Sequence, residues 1–343
     1  MAIKQRIKVL VVDDSLVFRE LLARGLANDP GIEVVGTAGS AAEAKKMILE
    51  LKPQVLTLDV EMPQISGIEF LKQLMPEYPL PVVMVSSVSD SVFDALKAGA
   101  VDFVTKPDTS NRGVDSVINE LIVKIKIASI AKVGSWKHDS GKPELGKVVP
   151  GKQERLIAIG ASTGGTEALA RVLQLFPRNM PGTVIVQHMP PVFTKMYADR
   201  LNESCQVEVK EAANGDVVYP GRVLIAPGDY QMRVKRSGLS YSVECFKGEK
   251  VNGHCPSVDV LFQSVAEVAG KNAIGVILTG MGYDGAKGLQ QMRQKGARTL
   301  GQDESSCVVY GMPRAAFEIG AVEKQVSLND MTRAIENLVN NPG

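Results

Sequence analysis

Ile7-Lys-Val-Leu-Val-Val-Asp13-Asp14-Ser15 is a short apolar run that ends abruptly in two carboxylates and a hydroxyl. A run of this length followed by a Ser reads as a buried strand, Ile7–Val12, with Ser15 capping a helix over Ser15–Asn28. The same unit recurs downstream. Strands are predicted at Glu33–Thr37, Val55–Leu58, Val82–Val85 and Phe103–Thr105, and a helix at Ala41–Leu51 behind Ser40. Pro30-Gly31 and Lys52-Pro53 mark breaks. Five βα units imply a doubly wound parallel (βα)5 sheet over residues 1–127.

Periodicity is lost over 128–155, where Gly, Pro, Ser and Lys dominate, and this stretch reads as a linker. Its net charge is +3, against −3 before it and +1 after it. From Leu156 the alternation resumes, with strands expected at Leu156–Ile159, Thr183–Val186, Val223–Ile225 and Ile274–Leu278. A hairpin is expected from Tyr230–Val234 and Leu239–Val243. Residues 156–343 therefore read as a second α/β domain with a mostly parallel sheet.

Composition narrows the function. The 343 residues carry 39 basic and 38 acidic side chains, a net +1. That balance argues against a dedicated nucleic-acid binder. No apolar run approaches the roughly 18 residues of a membrane span, and the first apolar run is too short for a signal-peptide core. Four cysteines without close pairing (Cys205, Cys245, Cys255 and Cys307) suit reduced thiols in a cytoplasmic protein.

Asp13 and Asp14 follow the first strand, Asp59 ends the third, Ser86 and Ser87 follow the fourth, and Lys106-Pro107 follows the fifth. In a doubly wound sheet the carboxyl ends of the strands share one edge, where ligands bind. Close carboxylates repel unless a cation sits among them, and hard oxygen donors suit Mg²⁺. An ammonium and a hydroxyl beside them fit phosphoryl oxygens, and an aspartate there can accept the phosphoryl group.

These pieces, with Asp59-Val-Glu-Met-Pro-Gln-Ile-Ser-Gly and Thr-Lys106-Pro107, resemble the receiver domain of two-component response regulators. The resemblance implies Asp59 as phospho-acceptor and Asp13, Asp14 and Asp59 around Mg²⁺, with a backbone carbonyl near Glu61. It implies Ser86 and Lys106 on the phosphoryl group, Phe103 as a switching aromatic or a plain core residue, and a cis bond before Pro107.

The second half holds a different set. Gly160-Ala-Ser162-Thr-Gly164-Gly165 follows a strand, Gln187-His188 ends another, and Gly280-Met281-Gly-Tyr-Asp284-Gly285 forms a glycine-rich turn after a third. Parallel strands would bring Ser162, His188 and Asp284 to one edge as nucleophile, base and orienting carboxylate. The glycine-rich turn offers backbone N–H groups to an oxyanion. Of the other two histidines, His254 is a candidate substrate contact and His138 a solvated linker residue.

Gly-Ala-Ser162-Thr-Gly-Gly-Thr-Glu-Ala, Gln-His188-Met-Pro-Pro, Val-Asn-Gly-His254, Pro-Ser-Val-Asp, Leu-Thr-Gly-Met281-Gly and Asp284-Gly-Ala resemble the chemotaxis protein-glutamate methylesterases, also called glutamine deamidases. The likeness runs from about Leu156 to Val339. It implies Ser162 as nucleophile, His188 as general base, Asp284 as its orienter and the Met281 amide as oxyanion donor, with no cofactor for the esterase step. It implies chemoreceptors as substrate, a chemotaxis histidine kinase as phosphodonor, and an unphosphorylated receiver that covers the cleft. A monomer, without nucleic acid or membrane insertion, is expected. The chain departs from the usual pattern at Val192 (glycine), Tyr230 (histidine), Cys255 (arginine) and Tyr283 (a small residue). Two other outputs fit the residues alone: a nucleotide-binding turn at Gly160–Gly165, or an inactive adaptor.

Overall fold

The computed structural model describes residues 6–87, 90–107, 113–134, 155–238 and 240–341. The chain forms two compact units, residues 1–137 and 138–343, which meet inside the undescribed stretch 135–154. Most of the sequence-predicted linker, and His138 with it, lies outside the described residues.

The first unit runs β1 (Ile7–Val12), α1 (Leu16–Ala27), β2 (Ile32–Ala38), α2 (Ala41–Leu51), β3 (Val55–Asp59), α3 (Gly67–Glu77), β4 (Val82–Ser86), α4 (Ser91–Lys97), β5 (Asp102–Thr105) and α5 (Val114–Ala128). Its sheet is wholly parallel in the order β2-β1-β3-β4-β5. Every residue of β3 and β4 is buried, as strands covered by helices on both faces require. Ser15 and Ser40 cap α1 and α2, their hydroxyls accepting from the N–H groups of Phe18 and Glu43. The strand order reverses between β1 and β3, so the crevice at that switch point opens beside Asp13 and Asp59.

The second unit begins with β6 (Leu156–Ala161), α6 (Gly165–Gln174), β7 (Gly182–Gln187), α7 (Phe193–Ser204), β8 (Glu208–Glu211), β9 (Val217–Val218) and β10 (Arg222–Ile225). A hairpin follows, β11 (Gln231–Ser237) and β12 (Ser240–Phe246). Then come α8 (Val258–Val268), β13 (Ala273–Ile277), α9 (Ala286–Gln294), β14 (Arg298–Gln302), α10 (Met312–Glu318), β15 (Lys324–Val326) and α11 (Leu328–Asn340). Seven parallel strands form one sheet, β15-β14-β13-β6-β7-β10-β8, and β11-β12-β9 form a small antiparallel one. The predicted hairpin is real but longer. Its strands pair Gln231 with Phe246 through Ser237 with Ser240, leaving Tyr230 outside and Leu239 undescribed.

One core joins the two sheets across α8, where Leu261, Phe262 and Val265 meet Met232, Val234 and Val243 of the hairpin and Leu156 and Ala158 of β6. Full burial of a side chain such as Phe262 contributes about 1.5–3 kcal/mol. The start of α8 presses on the end of β6: a Cβ on Gly160 would lie 2.2 Å from Val258 Cγ1. This close approach puts the α8 N-terminus at the edge of the sheet where β6 ends.

Candidate active site

β6 is hydrogen-bonded between β13 and β7, all parallel, so the segments after these three strands emerge side by side. Ser162 follows β6, His188 follows β7, and the Gly280–Gly285 turn leads from β13 into α9. Ser162 N–H donates to Thr279 O at 3.0 Å, tying the first segment to the third. Ser162 O accepts from Gly165 N–H at 2.7 Å, closing a tight turn into α6. That turn needs Gly164, at φ +77°, where a Cβ would also strike Val308.

His188 Nε2–H donates to Asp284 Oδ2 at 2.9 Å. Its other nitrogen, Nδ1, is buried and has no partner among the described residues. Ser162 Oγ makes no hydrogen bond to any described residue. Both atoms that would exchange a proton are therefore without a hydrogen bond among the described residues, as catalytic groups often are until substrate arrives.

Asp284 is 1% exposed and heavily partnered. Besides His188 it accepts from Asn252 Nδ2 and Ser257 Oγ at 2.8 Å each, and from the N–H groups of Val258 at 2.7 Å and Asp259 at 3.2 Å. Burial by itself raises its pKa. The His188, Asn252 and Val258 donors outweigh that and hold the carboxyl well below its ordinary value. Ser257 stands at the N-cap of α8 yet makes no capping bond there, its hydroxyl serving Asp284 instead. The Asp284 carboxylate satisfies the helix's first N–H groups in its place.

The His254 ring lies flat on that of His188, centroids 3.6 Å apart and planes 8° from parallel. Burial, then the neighbouring His188, pushes His254 down to about 4, so it is neutral at pH 7. Met281, on the turn between Gly280 and Gly282, donates its backbone N–H to no described acceptor. A Cβ on Gly280 would lie 2.7 Å from Ser162 Cβ, so this turn runs directly against the serine. Asn252, Ser257, Asp259 and Gln187 all support the site and were assigned no role from sequence. The one available signal was that all four fall inside motifs already quoted, Val-Asn-Gly-His254, Pro-Ser-Val-Asp and Gln-His188-Met-Pro-Pro.

The departures from the family pattern are visible too. Val192 sits at φ +74°, ψ −48°, a conformation rare for a β-branched residue, with its side chain 57% exposed. Tyr283 is also 57% exposed and adjoins Asp284. Tyr230 lies under Lys247 Nζ at 5.9 Å, and Cys255 Sγ lies 3.9 Å from Gly248 O.

In the first unit Asp13, Asp14 and Asp59 place carboxylate oxygens within 4.8 Å of one another. Lys106 Nζ lies 2.6 Å from Asp59 Oδ2 and 3.0 Å from Asp13 Oδ2. Asp13 and Asp59 are buried while Asp14 is exposed, so the cluster opens to solvent on one side. Burial, opposed by Lys106 and helped by Asp13, pushes Asp59 up to about 6. Ser86 Oγ is buried without a partner among the described residues. Hard oxygen donors, a carboxyl raised by burial and an orphaned hydroxyl together suit a divalent cation and a phosphoryl group. Phe103 is buried, with Lys124 Nζ 4.9 Å from its ring centroid. The Lys106–Pro107 bond is trans, contrary to the cis form the resemblance implies. Trans is the lower-energy form of an X–Pro bond, and the cis bond among the described residues precedes Pro256.

Comparison with known proteins accounts for both units. The CheB methylesterase family matches residues 157–335, and the response regulator receiver domain matches residues 9–118. A protein-glutamate methylesterase/protein-glutamine glutaminase 2 from Syntrophomonas wolfei is 61% identical over 342 residues, 98% of each chain. A protein-glutamate methylesterase/protein-glutamine glutaminase from Syntrophotalea carbinolica is 53% identical over 352 residues, again 98% of each. The crystal structure of the Thermotoga maritima CheB methylesterase catalytic domain is 37% identical. It covers 54% of this chain and 98% of that one, with a TM-score of 0.53. With relatives this similar along nearly its whole length, the chain belongs to the CheB methylesterase family, its catalytic unit preceded by a response regulator receiver domain.

Proposed function

We propose that the chain hydrolyses γ-glutamyl methyl esters on chemoreceptors, and deamidates receptor glutamines to glutamate, under control of phosphorylation at Asp59. The observation that carries the chemistry is the unpartnered His188 Nδ1, held on a ring whose far nitrogen is bound to Asp284. Ser162 Oγ attacks the ester carbonyl as its proton passes to His188 Nδ1. The oxyanion forms against the Met281 N–H, a donor free for it. Asp284, held ionised by its donors, balances the imidazolium. His188 then returns the proton to the methoxy oxygen, and methanol leaves. Water, deprotonated by the same nitrogen, attacks the acyl-serine and releases glutamate. A primary amide follows the same path with ammonia as leaving group.

In the receiver, Asp59 accepts the phosphoryl group from a histidine kinase. Asp13, Asp14 and Asp59 would hold Mg²⁺, which supplies charge neutralisation for the transfer. Lys106 and the orphaned Ser86 hydroxyl bind the phosphoryl oxygens. The two other outputs are disfavoured by the same geometry. Gln187 and His188 end β7 where a dinucleotide site would need an acidic residue, and an adaptor has no use for an imidazole bound to a carboxylate on one nitrogen and unpartnered on the other.

The test is methanol release from methylated chemoreceptor membranes, with and without Mg²⁺ and acetyl phosphate. Release that rises with phosphodonor and disappears in Ser162→Ala is expected. Equal release by parent and Ser162→Ala would overturn the assignment.

A further inference from the structure

The main-chain ladder between β6 and β7 closes with His188 N–H donating to Ala161 O at 3.1 Å. Beyond it the two strands part toward Ser162 and His188. The Gln187 side chain fills the fork. It is 3% exposed, and its Nε2 donates to Ser162 O at 2.9 Å and to His188 O at 3.2 Å. One amide thus spans the carbonyls of the two residues whose side chains must exchange a proton. Room for it is built in: a Cβ on Gly165 would lie 2.2 Å from Gln187 Oε1. Oε1 itself is buried and unpartnered. An unpartnered buried acceptor is costly, so the amide is kept in place by what its nitrogen does.

We infer that Gln187 is a positioning residue for the hydrolysis, fixing the separation of Ser162 and His188 through their carbonyls. The inference rests on the reading of Ser162 and His188 as nucleophile and base. Ser162 Oγ and His188 Nδ1 share no hydrogen bond among the described residues, so their approach depends on where their backbones stand, beside the Asp284 bond and the His254 stack that orient the His188 ring. Among the described residues no further main-chain bond joins the end of β6 to the end of β7. An apolar side chain of equal length removes both donors and lets the fork open. Displacements on the order of 1 Å at a reacting centre cost about 10²-fold in rate.

The experiment uses the full chain with Mg²⁺ and acetyl phosphate. Methanol release and labelling of Ser162 by a fluorophosphonate probe are followed for parent, Gln187→Met, Gln187→Glu and Ser162→Ala, well below each Tm. Gln187→Met is expected to lower kcat and the labelling rate together by about 10²-fold, with KM within about 2-fold. Gln187→Glu carries no donor when ionised but regains one O–H when protonated. Its kcat relative to the parent is expected to rise as pH falls from 8 to 5. His188, His254 and Asp284 face the site in both proteins alike, and taking the ratio to the parent removes their contribution. A merely structural role would lower Tm and leave both rates and this ratio untouched. Parent-like kcat in Gln187→Met, or a pH-independent ratio for Gln187→Glu if the Met variant does not fold, would overturn the inference. If Ser162→Ala also keeps the parent rate, it is the site assignment that has failed.

Discussion

His254 and His188 are stacked ring on ring, 3.6 Å apart, and burial together with the His188 neighbour disfavours a proton on His254. The lowered value of His254, about 4 against an unfolded value near 6.5, means the unfolded chain takes up this proton first. Stability from this group is therefore intact above pH 6.5 and is lost as pH falls toward 4. His254→Phe keeps a flat ring and removes the titration. Its Tm is expected to fall less than the parent's between pH 6.5 and 4.5. Parallel Tm curves would contradict the assignment.

Asp284→Asn keeps the shape of the carboxylate but cannot balance an imidazolium. Methanol release is expected to fall by on the order of 10⁴-fold in kcat, with KM little changed. Stability should fall as well, because Asn252, Ser257 and two backbone N–H groups lose a charged acceptor. Steady-state kinetics and thermal unfolding of the same preparation read both effects.

The carboxyl of Asp59 is raised by burial to about 6, so between its unfolded value near 4 and pH 6 the folded unit holds the extra proton. Stability from this group is full below pH 4 and declines as pH rises through 6. Mg²⁺ favours the ionised form and should oppose that decline. The receiver's unfolding transition, followed from pH 5 to 7.5, is expected to shift down without Mg²⁺ and to recover with it. Asp59→Asn should flatten both trends and abolish stimulation by acetyl phosphate.

Val192 holds a backbone conformation that glycine adopts freely, and most of its side chain is in water. Val192→Gly relieves strain of about 1–3 kcal/mol at the cost of roughly 1 kcal/mol in backbone entropy. A small rise in Tm is expected. A fall of several degrees would mean the valine contributes packing not evident from its exposure.

Much of this architecture was legible in the chain itself. The apolar runs of β1, β3, β4, β6 and β7 announce strands buried on both faces, and the residues just past their ends announce the two sites. Local signals did less well at the hairpin. Polar Lys235, Arg236 and Ser237 continue β11 because Ser242, Tyr241 and Ser240 face them, a pairing that neither strand advertises alone. The cradle of Asp284 was the least legible part. Asn252, Ser257 and Val258 reach it from 32, 27 and 26 residues away. Nothing in an Asn or a Ser on its own says which distant carboxylate it will serve. Gln187 was hidden differently, since it reads as the last residue of a strand while its function lies in where the amide ends.

The borrowed cap of α8 has a consequence for assembly. Ser257 gives its hydroxyl to Asp284, and Asp284 returns its charge to the first turn of the helix. A chain that has built that turn has already fixed the carboxylate against which the His188 imidazole is aimed. Closing the first turn of α8 and fixing the Asp284 carboxylate are therefore coupled, and damage to that carboxylate is expected to loosen the helix.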